Sequence, residues 1–226
     1  MKIAWLGQAG WLFETDGIKV LIDPYLSNSV AKILPHNYRR QPIKEEFLRL
    51  KPDVIVLTHN HADHTDKETL GHYLNEDSNV LVLASYNGWN EVRKFGGVKN
   101  NYVLFDIGTT WTFRNIVFQS VYAEHSDSYA IGVVITADGK HYYITGDTLY
   151  NEKVFNSLPK VDYEMCIFPV NGTGNNMNFV DAKHFAERVN AKYSVPMHFG
   201  MFDEIDIDKF DCINKMIFRL YEEKIL

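Results

Sequence analysis

Cysteine is almost missing: Cys166 and Cys212 are the only two, far apart and each beside apolar neighbours. No Cys-x-x-Cys pair exists, which argues against a cysteine-ligated zinc site, and buried free thiols are the expected state. No apolar run approaches about 18 residues, so no membrane span and no membrane partner are expected. The opening stretch from Met1 to Gly17 has neither an apolar signal core nor a small-residue cleavage site, which predicts a cytoplasmic protein. Basic clusters are scarce too: Arg39-Arg40 is the densest, and 23 Lys and Arg stand against 29 Asp and Glu, a net charge of −6. A nucleic-acid polymer calls for a basic field, so none is expected as a partner. A small anion is still admissible, because metal ions add positive charge that the formal count omits. Linkers, low-complexity tracts and tandem repeats are also lacking. With 46% hydrophobic residues, the 226 residues can bury a sizeable core and are expected to form one domain, 1–226.

What is present reads as strands mixed with helices. Ile3–Leu6, Trp11–Glu14 and Lys19–Ile22 read as strands, the last two joined by an Asp16-Gly17 hairpin turn. Residues 25–42 are turn-rich, then polar and aromatic, and are expected to form a lid loop. A helix is expected over Ile43–Leu50 and a strand buried on both faces over Val54–Leu57. Thr65 and Glu68 fit a capping box, which predicts a helix from about Asp66 to Leu74. Val80–Ala84 reads as a strand and Trp89–Phe95 as a short helix. Five strands follow: Tyr102–Phe105, Thr110–Phe113, Ile116–Tyr122, Ala130–Thr136 and His141–Thr145. Met165–Val170 and Tyr193–Pro196 read as strands around a helix at Val180–Val189. A closing helix is expected from Asp208 to about Lys224, with Phe210, Ile213, Met216, Ile217 and Leu220 on one stripe. Each half starts with meandering strands and ends in βα units, which implies two similar halves packed sheet on sheet with helices outside.

The chemistry concentrates in Thr58-His59-Asn60-His61-Ala62-Asp63-His64, three imidazoles and a carboxylate within six positions. A buried strand precedes it and a capped helix follows. His59 and His61 can point the same way from an extended strand end, since side chains alternate. Asp63 and His64 lie where the chain turns into the helix and can face a second point nearby. That suits two cations about 3.5–4 Å apart, the spacing of two-metal hydrolases. Three further candidates each lie just beyond a strand: His125, Asp147 after Gly146, and His198. His72 and His184 fall inside helices, His141 starts a strand, and His36 sits in the lid segment; these read as surface histidines.

The pattern His-x-His-x-Asp-His, followed by a lone His, a lone Asp and a last His, resembles the metallo-β-lactamase-fold hydrolases over Ile3 to about Phe202. Gly7-Gln8-Ala9-Gly10 and Leu21-Ile22-Asp23-Pro24 are similar to the opening hairpin of that family. The resemblance implies a four-layer αββα sandwich. It implies that His59, His61 and His125 hold one metal, that Asp63, His64 and His198 hold another, and that Asp147 bridges them. A carboxylate-rich variant of the motif belongs to di-iron redox proteins; here its third position is His61 rather than Glu, which favours hydrolysis. Asn37-Tyr38-Arg39-Arg40, Pro169-Val170-Asn171-Gly172, Asn176-Met177-Asn178 and Pro196-Met197-His198 with Met201-Phe202 are similar to the branch of L-ascorbate-6-phosphate lactonase. This chain is shorter than those lactonases, with three residues between Asn171-Gly172 and Asn176.

The expected activity is metal-dependent hydrolysis by a metal-activated hydroxide, with Asp63 orienting the nucleophile and shuttling a proton. The expected substrate is a small molecule, a lactone or ester, phosphorylated sugar lactones included. The alternatives are a phosphodiesterase acting on a small phosphodiester or cyclic nucleotide, and a non-catalytic metal-binding sensor. Two divalent metal ions are expected: imidazole-rich ligation suits zinc, and manganese agrees with the lactonase resemblance. Arg39 and Arg40 are candidate anion anchors, and Asn171 and Asn178 candidate hydrogen-bond donors to substrate. A homo-oligomer is compatible with the sequence.

Overall fold

The Asp16-Gly17 turn, with φ of +49° and +75°, sets the register of the first sheet. It joins β2 (Gly10–Thr15) to β3 (Ile18–Ile22), and β1 (Lys2–Gly7) lies antiparallel on the other side of β2. Beyond β3 the sheet continues in parallel with β4 (Val54–Leu57), β5 (Leu81–Ala84) and β6 (Asn101–Leu104). The second sheet repeats that plan. An antiparallel meander of β7 (Thr110–Phe113), β8 (Ile116–Tyr122), β9 (Ile131–Ala137) and β10 (Lys140–Ile144) gives way to parallel β11 (Tyr163–Pro169) and β12 (Tyr193–Met197). This computed structural model describes residues 1–226.

Period-2 alternation decides which face each residue covers. Ile3, Trp5, Val54, Val56, Leu81 and Leu83 point into the core between the sheets, where they meet Phe118, Ile131, Tyr142 and Phe168. Their neighbours Ala4, Leu6, Ile55, Leu57 and Val82 point outward against helices, which is why β4 and β5 read as continuous apolar runs. On that outer face lie α1 (Glu45–Leu48), α2 (Lys67–Tyr73) and α3 (Tyr86–Val92), supplying Phe47, Leu70, Tyr73 and Val92. The second sheet is covered by α4 (Glu152–Ser157) and α5 (Phe179–Val189), with Phe185 against Tyr143 and Phe168. The result is the expected αββα order of layers. No helix is long and apolar enough to cross a membrane.

Three local expectations change. The cap of α2 is Asp66, whose carboxylate accepts from the N–H groups of Glu68 and Thr69, while Thr65 donates to the His59 carbonyl. The helix at Ile43–Leu50 shrinks to the single turn of α1, and α4, capped by Asn151, was not anticipated. The closing helix does not form. Residues 207–209 make one 3-10 turn, and the chain then runs along two sheet edges. Ser194 exchanges bonds with Asn214 and Met216, Tyr221 N–H donates to the Trp5 carbonyl, and β13 (Glu223–Ile225) pairs with β1. Unpaired strand edges offer a row of donors and acceptors that a helix could not satisfy. The residues actually buried are Phe210, Cys212, Phe218 and Tyr221, whereas Ile213 is exposed.

Candidate metal centre

Asp23 ends β3 and is almost completely buried. Burying an unpaired carboxylate costs several kcal/mol, on the order of the stability of a small domain, so its partners matter. It accepts from the Thr58 N–H (2.8 Å), the Thr58 hydroxyl (2.5 Å) and His64 Nδ1 (2.7 Å). An ionised carboxylate only accepts, so His64 Nδ1 must carry the proton. The Thr58 hydroxyl gives its proton to Asp23 and so accepts from His59 Nδ1, 3.0 Å away. Both rings are thereby fixed in the tautomer that leaves the Nε2 lone pair free. Thr65 holds the loop from the other side by donating to the His59 carbonyl at 2.7 Å.

The ends of the second sheet complete the cluster. Ile131 N–H donates to the Thr58 carbonyl (3.0 Å), joining β9 to the loop after β4. Gly146 follows β10 at φ +63°, and a Cβ there would stand 2.8 Å from the Ile131 carbonyl and 3.0 Å from Thr58 Cβ. Only glycine lets Asp147 turn in beside the loop. His198, after β12, has φ +61° and is held by donating its N–H to the Gln8 carbonyl (3.0 Å). Gln8 (φ +53°) and Asp23 (φ +41°) are also left-handed. Such conformations cost about 1 kcal/mol or more each, and here they gather at one site.

All seven expected ligand residues converge. One atom from each of His59, His61, His125 and Asp147 lies within 4.8 Å of the others, and the same holds for Asp63, His64 and His198. Asp147 faces both groups: Oδ1 is 3.4 Å from His64 Nε2, and Oδ2 is 3.2 Å from His198 Nε2 and 3.9 Å from His125 Nε2. A third grouping, Asp23 with His59 and His64, is the relay described above. His59 Nε2, His64 Nε2 and Asp147 Oδ1 are buried and have no hydrogen-bond partner. Each such atom costs about 1–3 kcal/mol, and their gathering in one cluster fits cations that accept lone pairs. The 3.1 Å approach of His125 Nε2 to His61 Nδ1 fits the same role, since two lone pairs repel unless a proton or a cation lies between them. The cluster is able to bind metal.

The charges agree with that reading. Burial, reinforced by His64, holds His59 well below the ordinary imidazole range, and burial also lowers His125. Burial works against charge on His64, but the carboxylates of Asp147, Asp63 and Asp23 outweigh it and raise that ring. His198 is likewise penalised by burial and then pushed up to about 9 by Asp147 and Asp63. Burial would raise Asp63, yet His64 and His198 hold it below the usual carboxylate range, and the same two rings, His198 foremost, do so for Asp147. Protons on His64 and His198 compete with a cation for the same positions.

A cavity of about 720 Å³ opens above the cluster, lined by His61, Asp63, Asp147 and His198 at its floor. Of the expected substrate residues, only Asn171 lines it. Arg39 stands outside, donating to the carbonyls of Tyr25 (2.7 Å) and Gln41 (2.9 Å) and to the Tyr221 hydroxyl (3.1 Å). Arg40 also stands outside, with its guanidinium 4.4 Å from the centroid of the Tyr38 ring. Asn178 caps α5 by accepting from the N–H groups of Val180 and Asp181. His36 is exposed at the cavity rim, while His72 and His184 are exposed on helices. Two further lining residues had no expected role. Gln8 Nε2 donates to Asp63 Oδ2 (2.9 Å), and Asn176 Nδ2 donates to Asp147 Oδ2 (2.9 Å). A polar residue between glycines at a strand end was the signal for Gln8; the doublet Asn175-Asn176 carried none.

The family model described as beta-lactamase superfamily domain matches residues 2–198. The UPF0173 metal-dependent hydrolase of Geobacillus thermodenitrificans is 30% identical over 223 residues, covering 92% of this chain and 89% of that protein. Among solved structures, Igni18, a metallo hydrolase from Ignicoccus hospitalis, superposes with a TM-score of 0.77 at 18% identity, over 99% of this chain and 97% of its own. An isothiocyanate hydrolase from Delia radicum gut bacteria gives a TM-score of 0.76 at 21% identity, over 100% and 99%.

Proposed function

This chain belongs to the metallo-β-lactamase superfamily of metal-dependent hydrolases, within its UPF0173 family, and we propose that it hydrolyses a small lactone or ester at a two-cation centre. His59, His61 and His125 would hold one ion and Asp63, His64 and His198 the other, with Asp147 between the two groups. The observation that supports this reading is the placement of Asp147, whose Oδ1 faces His64 and whose Oδ2 lies near both His198 and His125, so that the carboxylate borders both groups of ligands. Zinc suits the imidazole-rich set best.

Bound divalent cations would lower the pKa of water towards neutrality and stabilise the oxyanion that develops on the substrate. The chain's own groups do the rest. Asp63 lines the cavity floor and has one carboxylate oxygen held by Gln8. It is placed to take the proton that water loses and to pass it to the leaving alkoxide as the acyl C–O bond breaks. The product is a hydroxy acid from a lactone, or an acid and an alcohol from an ester. Residues 25–42 act as a lid: Val30, Ile33, Leu34, His36 and Asn37 form one wall of the cavity. The lactonase-like segments support an acyl substrate, because Asn171, Asn176, His198 and Phe202 from those segments line the same cavity as the ligand cluster.

The test pairs metal content with turnover. Wild-type protein should carry two ions per chain, and Asp147→Ala should lose at least one and fall at least a thousandfold in kcat with a model γ-lactone. Full metal content in Asp147→Ala would overturn the bridging role. Faster turnover of bis-p-nitrophenyl phosphate than of any lactone or aryl ester would overturn the acyl substrate.

A further inference from the structure

We propose that the substrate of this centre is uncharged away from its reacting group and carries an apolar substituent seated under residues 25–42. This rests on the acyl-hydrolase reading of the same site and narrows it. The wall formed by residues 25–42 is largely aliphatic, with Val30, Ile33 and Leu34 beside His36 and Asn37, and Phe202 extends its apolar surface. Ile33 is 69% exposed and Leu34 45%, an unusual expense of aliphatic surface at the mouth of a cavity. The facing wall is neutral and polar: Ser126, Asn171, Thr173, Asn175 and Asn176. The Asn171 Oδ1 on that wall is buried without a partner and can accept from a substrate hydroxyl or amide N–H.

No lysine or arginine lines the cavity. Residues 25–42 contain three lysine and arginine side chains, and none of them lines the cavity. Lys32 pairs with Glu68, Arg39 holds two carbonyls and the Tyr221 hydroxyl, and Arg40 stacks on Tyr38. The one carboxylate on the rim, Asp203, accepts from the N–H groups of Gly200 and Ile205. Sites for a phosphate or carboxylate tail provide a guanidinium or ammonium partner. Here such a tail would lie between amides, aliphatic groups, a carboxylate and the lone imidazole of His36. A volume of about 720 Å³ leaves room for a ring at the floor and a tail along the apolar wall.

The experiment uses zinc-loaded protein and γ-lactones with alkyl tails of increasing length, each matched to a lactone whose tail ends in phosphate or carboxylate. kcat/KM should rise about fourfold per methylene over the first three or four methylenes. The matched anionic lactones should be at least tenfold slower. Ile33→Lys should narrow or reverse that ratio. Calorimetric binding of the corresponding lactams gives a second readout, with the alkyl lactam expected to bind at least tenfold tighter than the anionic one. Anionic tails that are turned over or bound as well as alkyl tails would overturn the inference while leaving hydrolysis intact. Lactams that bind with the alkyl preference, with no lactone turned over, would support the inference and overturn the acyl-hydrolase reading instead. Absence of any preference in both readouts overturns the inference.

Discussion

The floor of the cavity and its rim are built on opposite principles. On the floor side chains orient one another: Asp23 orients His64 directly and His59 through Thr58, Gln8 steadies Asp63, and Asn176 steadies Asp147. Gln8, Asp23 and His198 each directly follow a strand, and all three hold left-handed backbone. The rim consists of residues 25–42 and 171–175 and carries exposed side chains, with Lys32 paired to Glu68, Arg39 held by carbonyls and Arg40 stacked on Tyr38. The difference implies that reaction chemistry is fixed by rigid elements, while selectivity resides where substitution costs little stability.

The comparison breaks most readily at Asp23. Asp23→Ala leaves His64 Nδ1 and the Thr58 N–H and hydroxyl without an acceptor. Metal affinity should fall about 10- to 100-fold, and stability by about 3 kcal/mol or more. Competition with a chromophoric chelator and urea unfolding measure the two losses; a metal affinity unchanged from wild type would show that the relay does not set the tautomers.

The pH response should have opposite signs with and without metal. In metal-free protein the raised pKa of His198, about 9, contributes stability that is fully present below about 6.5. That contribution, on the order of a few kcal/mol, is lost as pH rises through 9. The depressed carboxylates act in the other direction, losing their contribution only in acid. In zinc-loaded protein the metal must displace those protons, so zinc affinity should rise from pH 6 to 8. Thermal unfolding at pH 6, 7.5 and 9, with chelator and with zinc, resolves the two trends. Parallel trends would count against a shared site for protons and metal.

Smaller effects sharpen the boundary between floor and rim. Gln8→Ala should lower kcat about tenfold at unchanged metal content, because it frees Asp63 without removing a ligand; a drop in KM alone would contradict that placement. Arg39→Ala should cost about 1–3 kcal/mol in stability through three lost hydrogen bonds. It should leave KM within twofold for neutral and anionic-tailed lactones alike. A tenfold rise in KM for anionic tails alone would return Arg39 to the substrate side.

The floor was readable from the sequence because ligand chemistry restricts residue type: few motifs place three imidazoles and a carboxylate in six positions after an apolar run. His125, Asp147 and His198 followed from the same logic, each being a ligand type just beyond a strand. The layer order was readable too, since β4 and β5 are apolar on both faces. What stayed hidden depends on tertiary partners. Arg39 and Arg40 look alike as free cations in a loop until Tyr221 and Tyr38 occupy them. Asn178 looks like a donor until α5 needs a cap. Asp23 and Gln8 stood in recognisable segments, but their work is holding other side chains, which leaves no signature in spacing. The stripe at Phe210, Ile213, Met216, Ile217 and Leu220 has helical period, yet the edges of two sheets outcompete a helix for those backbone groups.

The bond from Ile131 N–H to the Thr58 carbonyl places the ligand cluster on the line where the two sheets meet. His59, His61, Asp63 and His64 belong to one side of that line; His125, Asp147 and His198 belong to the other. A cation held across it acts as a removable crosslink between distant parts of the chain. Separating the sheets then requires breaking coordination as well as emptying the core, so bound metal slows unfolding as well as opposing it at equilibrium. With a cation held there, the lifetime of the folded protein would depend on metal supply.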